Sequence, residues 1–398
     1  MKKIFIMNLG TTSFKFKLFH NSGEEFTVLA SGEIESVGAE MSHYALQLAN
    51  GAAMTGDTPI PDHGAGFAFC AQALEDAGLL ESLADLDAVG YKAVHGGSLS
   101  GTRLVDDELL AEMKRLVPLA PAHNPIYLSA MEDIRARYPQ LTQVARFETS
   151  FHATIPDYRA AYGVPYQWRE DLGIRRYGFH GSSHEYIASE TARLVPGARK
   201  VISCHLGGSS SVCAILDGKS VATSMGATPQ SGLFHNNRVG DLDVFTIPAV
   251  MEGLGCSFED VLKKLSKESG LLGLSGVSND LRLVIQAMET GDPRAKLAVE
   301  ALADNILGYI GMYAAYLNGL DALVFTGGIG TNSAVLRRMV CDRLGYLGVA
   351  LDEEKNASGG QTISAPDSRV TVLRLKTDEE LVVARNVAAL LDQGACLC

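Results

Sequence analysis

Along the chain, short apolar runs alternate with longer segments whose apolar positions recur every three to four residues, the pattern of an α/β protein. The helical period predicts helices over 65–79, 106–116, 126–138, 183–194, 258–267, 293–318, 334–344 and 379–391, and the short apolar runs predict strands over 87–94, 144–147, 323–326 and 370–375. Two stretches have a character of their own. Ile6-Met7-Asn8-Leu9-Gly10-Thr11-Thr12-Ser13-Phe14-Lys15-Phe16 reads as an apolar strand, a tight turn of glycine and small hydroxyl residues, and a second apolar strand. This is a β-hairpin signature. About half the chain later, Ser203-Cys204-His205-Leu206-Gly207-Gly208-Ser209-Ser210-Ser211-Val212-Cys213 echoes it. Two such hairpins predict a duplicated lobe.

A length of 398 residues exceeds what one core supports, so two domains are expected. We place them at 1–149, completed by a C-terminal helix over 380–398, and at 150–379. The chain is 46% hydrophobic and 20% charged, enough to bury substantial cores. Its net charge of −12 argues against nucleic acid or an anionic membrane as the main partner, so any anionic substrate must be met by local cations. The apolar start is too short for a signal peptide and reads as a first strand. The most apolar long segment, 295–320, carries Glu300, Asp304 and Asn305, which suits a buried helix or a subunit interface rather than a membrane span. Seven scattered cysteines without a C-x-x-C pair suit a reducing cytoplasm. The tail Cys396-Leu397-Cys398 is neither a lipidation box nor a good metal site, and reads as disordered.

The usual phosphate motifs are absent: there is no G-x-x-x-x-G-K-[ST], and Gly328-Ile329-Gly330 lacks the third glycine of a dinucleotide fingerprint. Small polar clusters at strand ends remain, over 93–97, 147–152, 177–181, 236–240, 278–282 and 325–333. In the hairpin turns, glycine lets backbone N–H groups converge on an anion and the hydroxyls add donors. Such turns either grip a phosphate chain or are merely well-made hairpins. His180 and His184 have the i,i+4 spacing of a helical metal pair. A capping box from Ser182 to Glu185 instead starts the helix after His180 and leaves that imidazole in the loop. A loop histidine beside glycines either donates to a transferring phosphoryl group or is a satisfied structural residue. The loops near Asp280 and Gly328 suit a nucleotide, with close backbone approach at Gly328 and hydrogen-bond acceptance from a ribose at Asp280. The segment 326–330 equally reads as a strand and a turn.

Taken in order from Asn8 to Arg385, these clusters resemble the acetate kinase family, a branch of the actin, Hsp70 and sugar kinase superfamily. The most specific stretches are Ala120-Pro121-Ala122-His123-Asn124-Pro125, Arg176-Tyr177-Gly178-Phe179-His180-Gly181-Ser182-Ser183-His184, Thr223-Ser224-Met225-Gly226, Gly276-Val277-Ser278-Asn279-Asp280 and the loop 327–333. The resemblance implies an α/β fold of duplicated, two-lobed actin-like (RNase H-like) ATPase type with an interlobe cleft, in a cytoplasmic homodimer. It implies Mg²⁺-dependent, reversible, in-line transfer of the ATP γ-phosphate to a small carboxylate, giving an acyl phosphate and ADP. By the same resemblance Asn8 and Glu379 place Mg²⁺, while Lys92, Glu148, His180 and Arg238 are catalytic. Ser13, Lys15, His205, Gly207, Gly208 and Ser209 belong to the two phosphate hairpins. Asp280, Leu281, Arg282, Gly328, Ile329, Gly330 and Asn332 hold the nucleotide. Lys92, Val94, Ala122, Phe179 and Pro229 line the acyl pocket.

The chain departs from the family pattern near the centre of that site. Lys92 stands for arginine, Glu148 for aspartate, Gly208-Ser209 for Asn-Gly and Thr331 for glutamate, and His235-Asn236-Asn237 replaces a small run before Arg238. Lysine keeps the charge but loses the planar fork, so its replacement is not neutral. The longer Glu148 either compensates for Lys92 or reshapes the site with it. Ala122, where leucine is frequent, implies a roomier pocket suited to propionate or a larger acid. Three alternatives stay open: a sibling kinase using another carboxylate or pyrophosphate, a nucleotide-switched binding protein, and a paralogue that has lost catalysis.

Overall fold

Strand β1 (Lys2–Leu9) is buried on both faces, and its alternation divides two cores. The computed structural model describes residues 1–395; the tail read as disordered lies outside the described residues. Phe5 and Met7 face one core, with Phe14 and Phe16 of β2 (Ser13–Ser22) and with helices His63–Asp76 and Asn124–Arg137. Ile4 and Ile6 face the other, against Val383, Ala384 and Val387 of the C-terminal helix Glu379–Ala395. Each of the larger apolar side chains among these contributes about 2 kcal/mol on burial. Phe5 and Phe16 stack at 4.9 Å.

The chain divides into two compact units, Met1–Ser150 with the residues from Asp378 onward, and Phe151–Thr377. In the first, β3 (Glu25–Glu35), β4 (Ser42–Leu48), β5 (Ala53–Thr58), β6 (Ala88–Ala93), β7 (Thr102–Leu104) and β8 (Gln143–Phe147) complete an eight-stranded sheet of order β5-β4-β3-β2-β1-β6-β8-β7. In the second, β9 (Lys200–Leu206), β10 (Ser210–Leu216), β11 (Lys219–Thr223), β12 (Ala322–Thr326) and β13 (Thr371–Arg374) form a sheet of order β11-β10-β9-β12-β13.

The two sheets share one plan. In β3-β2-β1-β6-β8, the first two pairings are antiparallel and the next two parallel, and the same senses run through β11-β10-β9-β12-β13. The sequence echo marks the central hairpin of each copy. The copies differ by one residue in the turn: Leu9 pairs with Phe14, whereas Leu206 pairs with Ser210.

Helix Pro293–Leu317 covers one face of the second sheet through Ala298, Val299, Leu302, Ile306 and Ile310, with Glu300 and Asp304 on its exposed side. Asp292 caps its first turn and Asn318, at φ 52°, ends it. Helix Gly181–Leu194 packs on the opposite face, where Ile187 meets Val201, Ile215 and Val324. Among the described residues no helix is long and apolar enough to cross a membrane.

Two local readings need correction. Helix Gly181–Leu194 begins at Gly181 with His180 as its N-cap and no side-chain cap bond, so Ser182 lies buried in the first turn and does not start a capping box. His180 still stands outside the helix. The turn expected at 327–330 is instead a six-residue helix, Gly327–Asn332, whose last carbonyls are held by distant arginines.

Candidate active site

In the first unit, the end of β1, the end of β6 and the start of the C-terminal helix bring charged groups together. Asp378 caps that helix by accepting from Leu381 N–H, and its acidic first turn suits the helix dipole. Lys92 forms an ion pair with Glu379, both side chains largely buried. Burial opposes charge on Lys92, but Glu379 and then Glu148 offset it and hold the ammonium above the ordinary lysine value. Lys17 donates to Asp378 at 2.8 Å and lies 3.5 Å from Glu380. Asn8 donates through Nδ2 to Glu380 at 3.0 Å, which directs its amide oxygen to other partners. Glu148 is buried, its backbone N–H bonded to Ala93 O at 2.8 Å.

The hairpin turn above this cluster closes with Gly10 N–H to Ser13 O at 2.8 Å. Lys15 points to Glu33 at 2.7 Å in a half-exposed pair. Val94 is half-buried, and Ala122 lies exposed in the turn before helix Asn124–Arg137.

In the second unit, the equivalent turn carries Gly207, Gly208 and Ser209. Arg238 donates to Ser209 Oγ at 3.2 Å and to Pro229 O at 3.3 Å. Burial lowers the Arg238 pKa, yet a guanidinium in a protein stays charged. Gly207 lies beside Gly328: a Cβ built on Gly207 would sit 3.9 Å from Gly328 N. Gly327, at φ +76°, abuts Leu206, and a Cβ there would fall 2.5 Å from Leu206 O. The first glycine therefore seats helix Gly327–Asn332 against β9, while a Cβ on Gly328 would meet nothing within 4 Å.

His180 adopts φ 57°, rare outside glycine, and its Nδ1 lies 2.8 Å from Ser211 Oγ. Its ring stacks on His205 with centroids 4.2 Å apart. His184 sits between Ser203 and Ser211, at 2.9 and 2.8 Å, so both its ring nitrogens are taken by serines. Asp280 caps helix Leu281–Glu289 through Arg282 N–H at 2.9 Å and pairs with the Arg282 guanidinium at 2.5 Å.

The acetokinase family model matches residues 3–385. The chain belongs to this family. It is 42% identical to an acetate kinase of Phocaeicola vulgatus, over 98% of this chain and all of that one, and 41% identical to one of Halothermothrix orenii with the same coverage. Among solved structures it resembles a Porphyromonas gingivalis acetate kinase with TM-score 0.89 and 35% identity, covering 98% of this chain and 100% of that one. It resembles a Francisella tularensis propionate kinase equally, with TM-score 0.89 and 34% identity over 97% and 99% of the two chains. The fold is thus the two-lobed, actin-like ATPase fold of the acetokinases.

Several residues that brace the candidate residues within each unit escape sequence reasoning. Tyr127 is buried, and its hydroxyl accepts the Leu9 N–H at 3.0 Å, fixing the base of the first hairpin turn. Arg337, 2% exposed, donates to Gly330 O at 2.8 Å and to Asn356, while Arg374 donates to Thr331 O at 3.1 Å. Burial first and Arg374 second bring the Arg337 pKa down to about 10. His235, one of the departures, accepts the Ser210 N–H through Nδ1 at 2.7 Å and so braces the second turn. Burial and then Arg238 push it down to about 3, so it stays neutral. No signal in the sequence separates Arg337 from a solvated helix face; the unusual residues before Arg238 did mark His235.

Proposed function

We propose that the protein is a short-chain carboxylate kinase that moves the ATP γ-phosphate reversibly to acetate or propionate, in line and without a phosphoenzyme. The observation that carries this reading is Arg238, a desolvated guanidinium bonded to Ser209 at the turn of the second phosphate-type hairpin. A carboxylate is already anionic near neutral pH, so the nucleophile needs no general base. The barrier lies in bringing one anion to another, and fixed cations lower it. Arg238 and His180 serve the transferred phosphoryl group. Gly207, Gly208, Ser209, Gly328, Ile329, Gly330 and Asn332 offer backbone and side-chain donors to the nucleotide, with His205, Asp280, Leu281 and Arg282 at its margins. Ser13 and Lys15 belong to the first hairpin's share of the phosphates. In this reading the acid is assigned to Lys92, Val94 and Ala122 in the first unit and to Phe179 and Pro229 in the second, and Glu148 tunes Lys92.

The metal is Mg²⁺ in this reading. The residues fit it: Asn8 and Glu379 supply hard oxygen donors, and Mg²⁺ borne on a nucleotide keeps waters and takes only one or two protein oxygens. Among the described residues no three His, Cys, Asp or Glu side chains form a ready-made cage, and a nucleotide-borne ion needs none. When bound, the ion neutralises charge on the phosphate oxygens. Lys92 then has two roles, as partner of Glu379 and as a cation that Glu148 helps to keep charged.

The relatives named acetate kinase and propionate kinase support these two acids over a more distant acceptor or a purely nucleotide-switched binding role. We take the cytoplasm as the site of action, with neither nucleic acid nor membrane as partner. The second unit exposes Val244, Phe245, Leu254 and Leu262, an apolar surface that supports a homodimer. Trapping acyl phosphate with hydroxylamine, across a series of acids with ATP or pyrophosphate, tests the reading. Acid-dependent hydroxamate with ATP supports it; ATP binding without any hydroxamate contradicts it.

A further inference from the structure

Two other histidines hold His180, one through its backbone and one through its ring. We propose that His152, His184, Ser203 and Ser211 are positioning residues that fix His180 as the neutral tautomer protonated on Nε2. The inference deepens, and rests on, the reading of His180 as a donor to the transferred phosphoryl group.

His152 acts on the backbone. Its Nε2 lies 2.9 Å from Phe179 O, and a carbonyl only accepts, so Nε2 carries the proton. Burial pushes the His152 pKa down to about 4, so the ring is neutral and Nδ1 accepts from the Ser220 hydroxyl at 2.8 Å. This bond anchors the Phe179–His180 peptide, where the chain enters the left-handed conformation of His180.

His184 acts on the ring. Ser211 Oγ lies 2.8 Å from His180 Nδ1 and 2.8 Å from His184 Nε2. A hydroxyl has one proton, so Ser211 donates to at most one ring. Accepting from both would leave its own buried proton with no acceptor among the described residues, so it donates to one ring and accepts from the other. His184 is fully buried, and burial followed by the neighbouring His152 and His205 keeps it neutral. Only two proton patterns are then possible. In the first, Ser203 donates to His184 Nδ1, His184 Nε2–H donates to Ser211, and Ser211 donates to His180 Nδ1; every proton has an acceptor. In the reverse pattern His184 Nδ1–H donates to Ser203, and the Ser203 proton is left in a fully buried position with no acceptor among the described residues. An unsatisfied buried donor is costly, so the first pattern prevails. It leaves His180 Nδ1 as acceptor and puts its proton on Nε2.

The choice matters for phosphoryl transfer. An Nε2–H donates to an anionic oxygen, whereas the other tautomer would present a lone pair to it. Stacking on His205, itself bonded through Nδ1 to Ser183 Oγ at 2.7 Å, restrains ring rotation.

Ring ¹⁵N spectra of the full chain labelled in its histidines, near neutral pH and without substrate, read the tautomer directly. His180 is assigned by the signals lost in His180→Gln. The expected result is an unprotonated Nδ1 and a protonated Nε2 for His180. Ser211→Ala should give a mixed tautomer and cut kcat about tenfold, with KM for acid and nucleotide within about twofold, and Ser211→Thr should recover most of kcat. Should Ser211→Ala not fold, Ser203→Ala should show the same mixed tautomer. A wild-type proton on Nδ1 overturns the proposal, as does Ser211→Ala or Ser203→Ala with an unchanged tautomer. The tautomer is read without turnover, so failure of every acid as substrate would sink the functional reading separately.

Discussion

Lys92, on a parallel strand of the first sheet, forms an ion pair with Glu379, the first residue of the C-terminal helix. This contact joins the two chain segments that make up the first unit, and buried Glu148 helps to hold the lysine's charge. Removing one member of a buried pair strands the other. Lys92→Met should therefore cost roughly 3–5 kcal/mol in urea unfolding, whereas Lys92→Arg should cost far less. A loss below about 1 kcal/mol for Lys92→Met would show that Glu379 and Glu148 are well solvated.

Arg238 is the strongest candidate donor to developing charge. Arg238→Ala should lower kcat at least ~100-fold, and His180→Ala should lower it less, because a neutral imidazole donor shares that charge with Arg238 and Mg²⁺. Steady-state kinetics decides it. Near-normal turnover in Arg238→Ala would remove the phosphoryl group from this position.

Gly327 and Gly328 are adjacent, yet their substitutions should part. Gly327→Ala forces a Cβ toward Leu206 O at positive φ, and should destabilise the fold by about 1–3 kcal/mol. Gly328→Ala meets open space, so it should leave stability unchanged while weakening nucleotide binding measured by calorimetry. Equal melting temperatures for both variants would contradict the seating of Gly327, and unchanged affinity in Gly328→Ala the nucleotide role of Gly328.

Burial depresses His152 to about 4 and His235 to about 3, and pushes His184 well below its ordinary value. A folded pKa below the unfolded one means that the unfolded state binds more protons between the two values. Stability should be complete above about pH 6.5 and fall as acid is added, by roughly 2 kcal/mol per histidine at pH 5. Urea midpoints from pH 7 to pH 5 measure this; a flat profile would mean that these rings are solvated.

Ala122 lies in an exposed turn, one side chain shorter by three carbons than leucine. Each buried CH₂ is worth roughly 0.8 kcal/mol, or about fourfold in kcat/KM. Propionate should match or exceed acetate, and Ala122→Leu should reverse the order. A strong acetate preference unchanged by the substitution would mean that Ala122 does not bound the acid.

The elements legible in the sequence are those decided locally. Helix Phe258–Lys267 matches its predicted range, and Pro293–Leu317 is within a residue, because proline, capping acids and a regular apolar face act within a few turns. The hairpin echo revealed the repeated sheet because each hairpin is a short-range unit. Strands β3, β4 and β5 went unseen: half-exposed and rich in polar residues, they lack an apolar run, and pairing with β2 makes them strands. Helix Leu281–Glu289 was missed for a similar reason, burying only Leu281 and Val284. For the candidate site, the sequence named residues but not their couplings. That Asp280 is engaged with Arg282, that Arg337 holds Gly330, and that Ser211 links two imidazoles depend on register and rotamer rather than on spacing.

The central claim is transfer of phosphate to a carboxylate. A ³¹P NMR time course of the protein with ATP, Mg²⁺ and acetate or propionate tests it most directly. The account predicts an acyl phosphate resonance that grows with ADP, requires the acid, and is lost in Arg238→Ala. Formation of ADP with inorganic phosphate alone, at a rate indifferent to the acid, would contradict it.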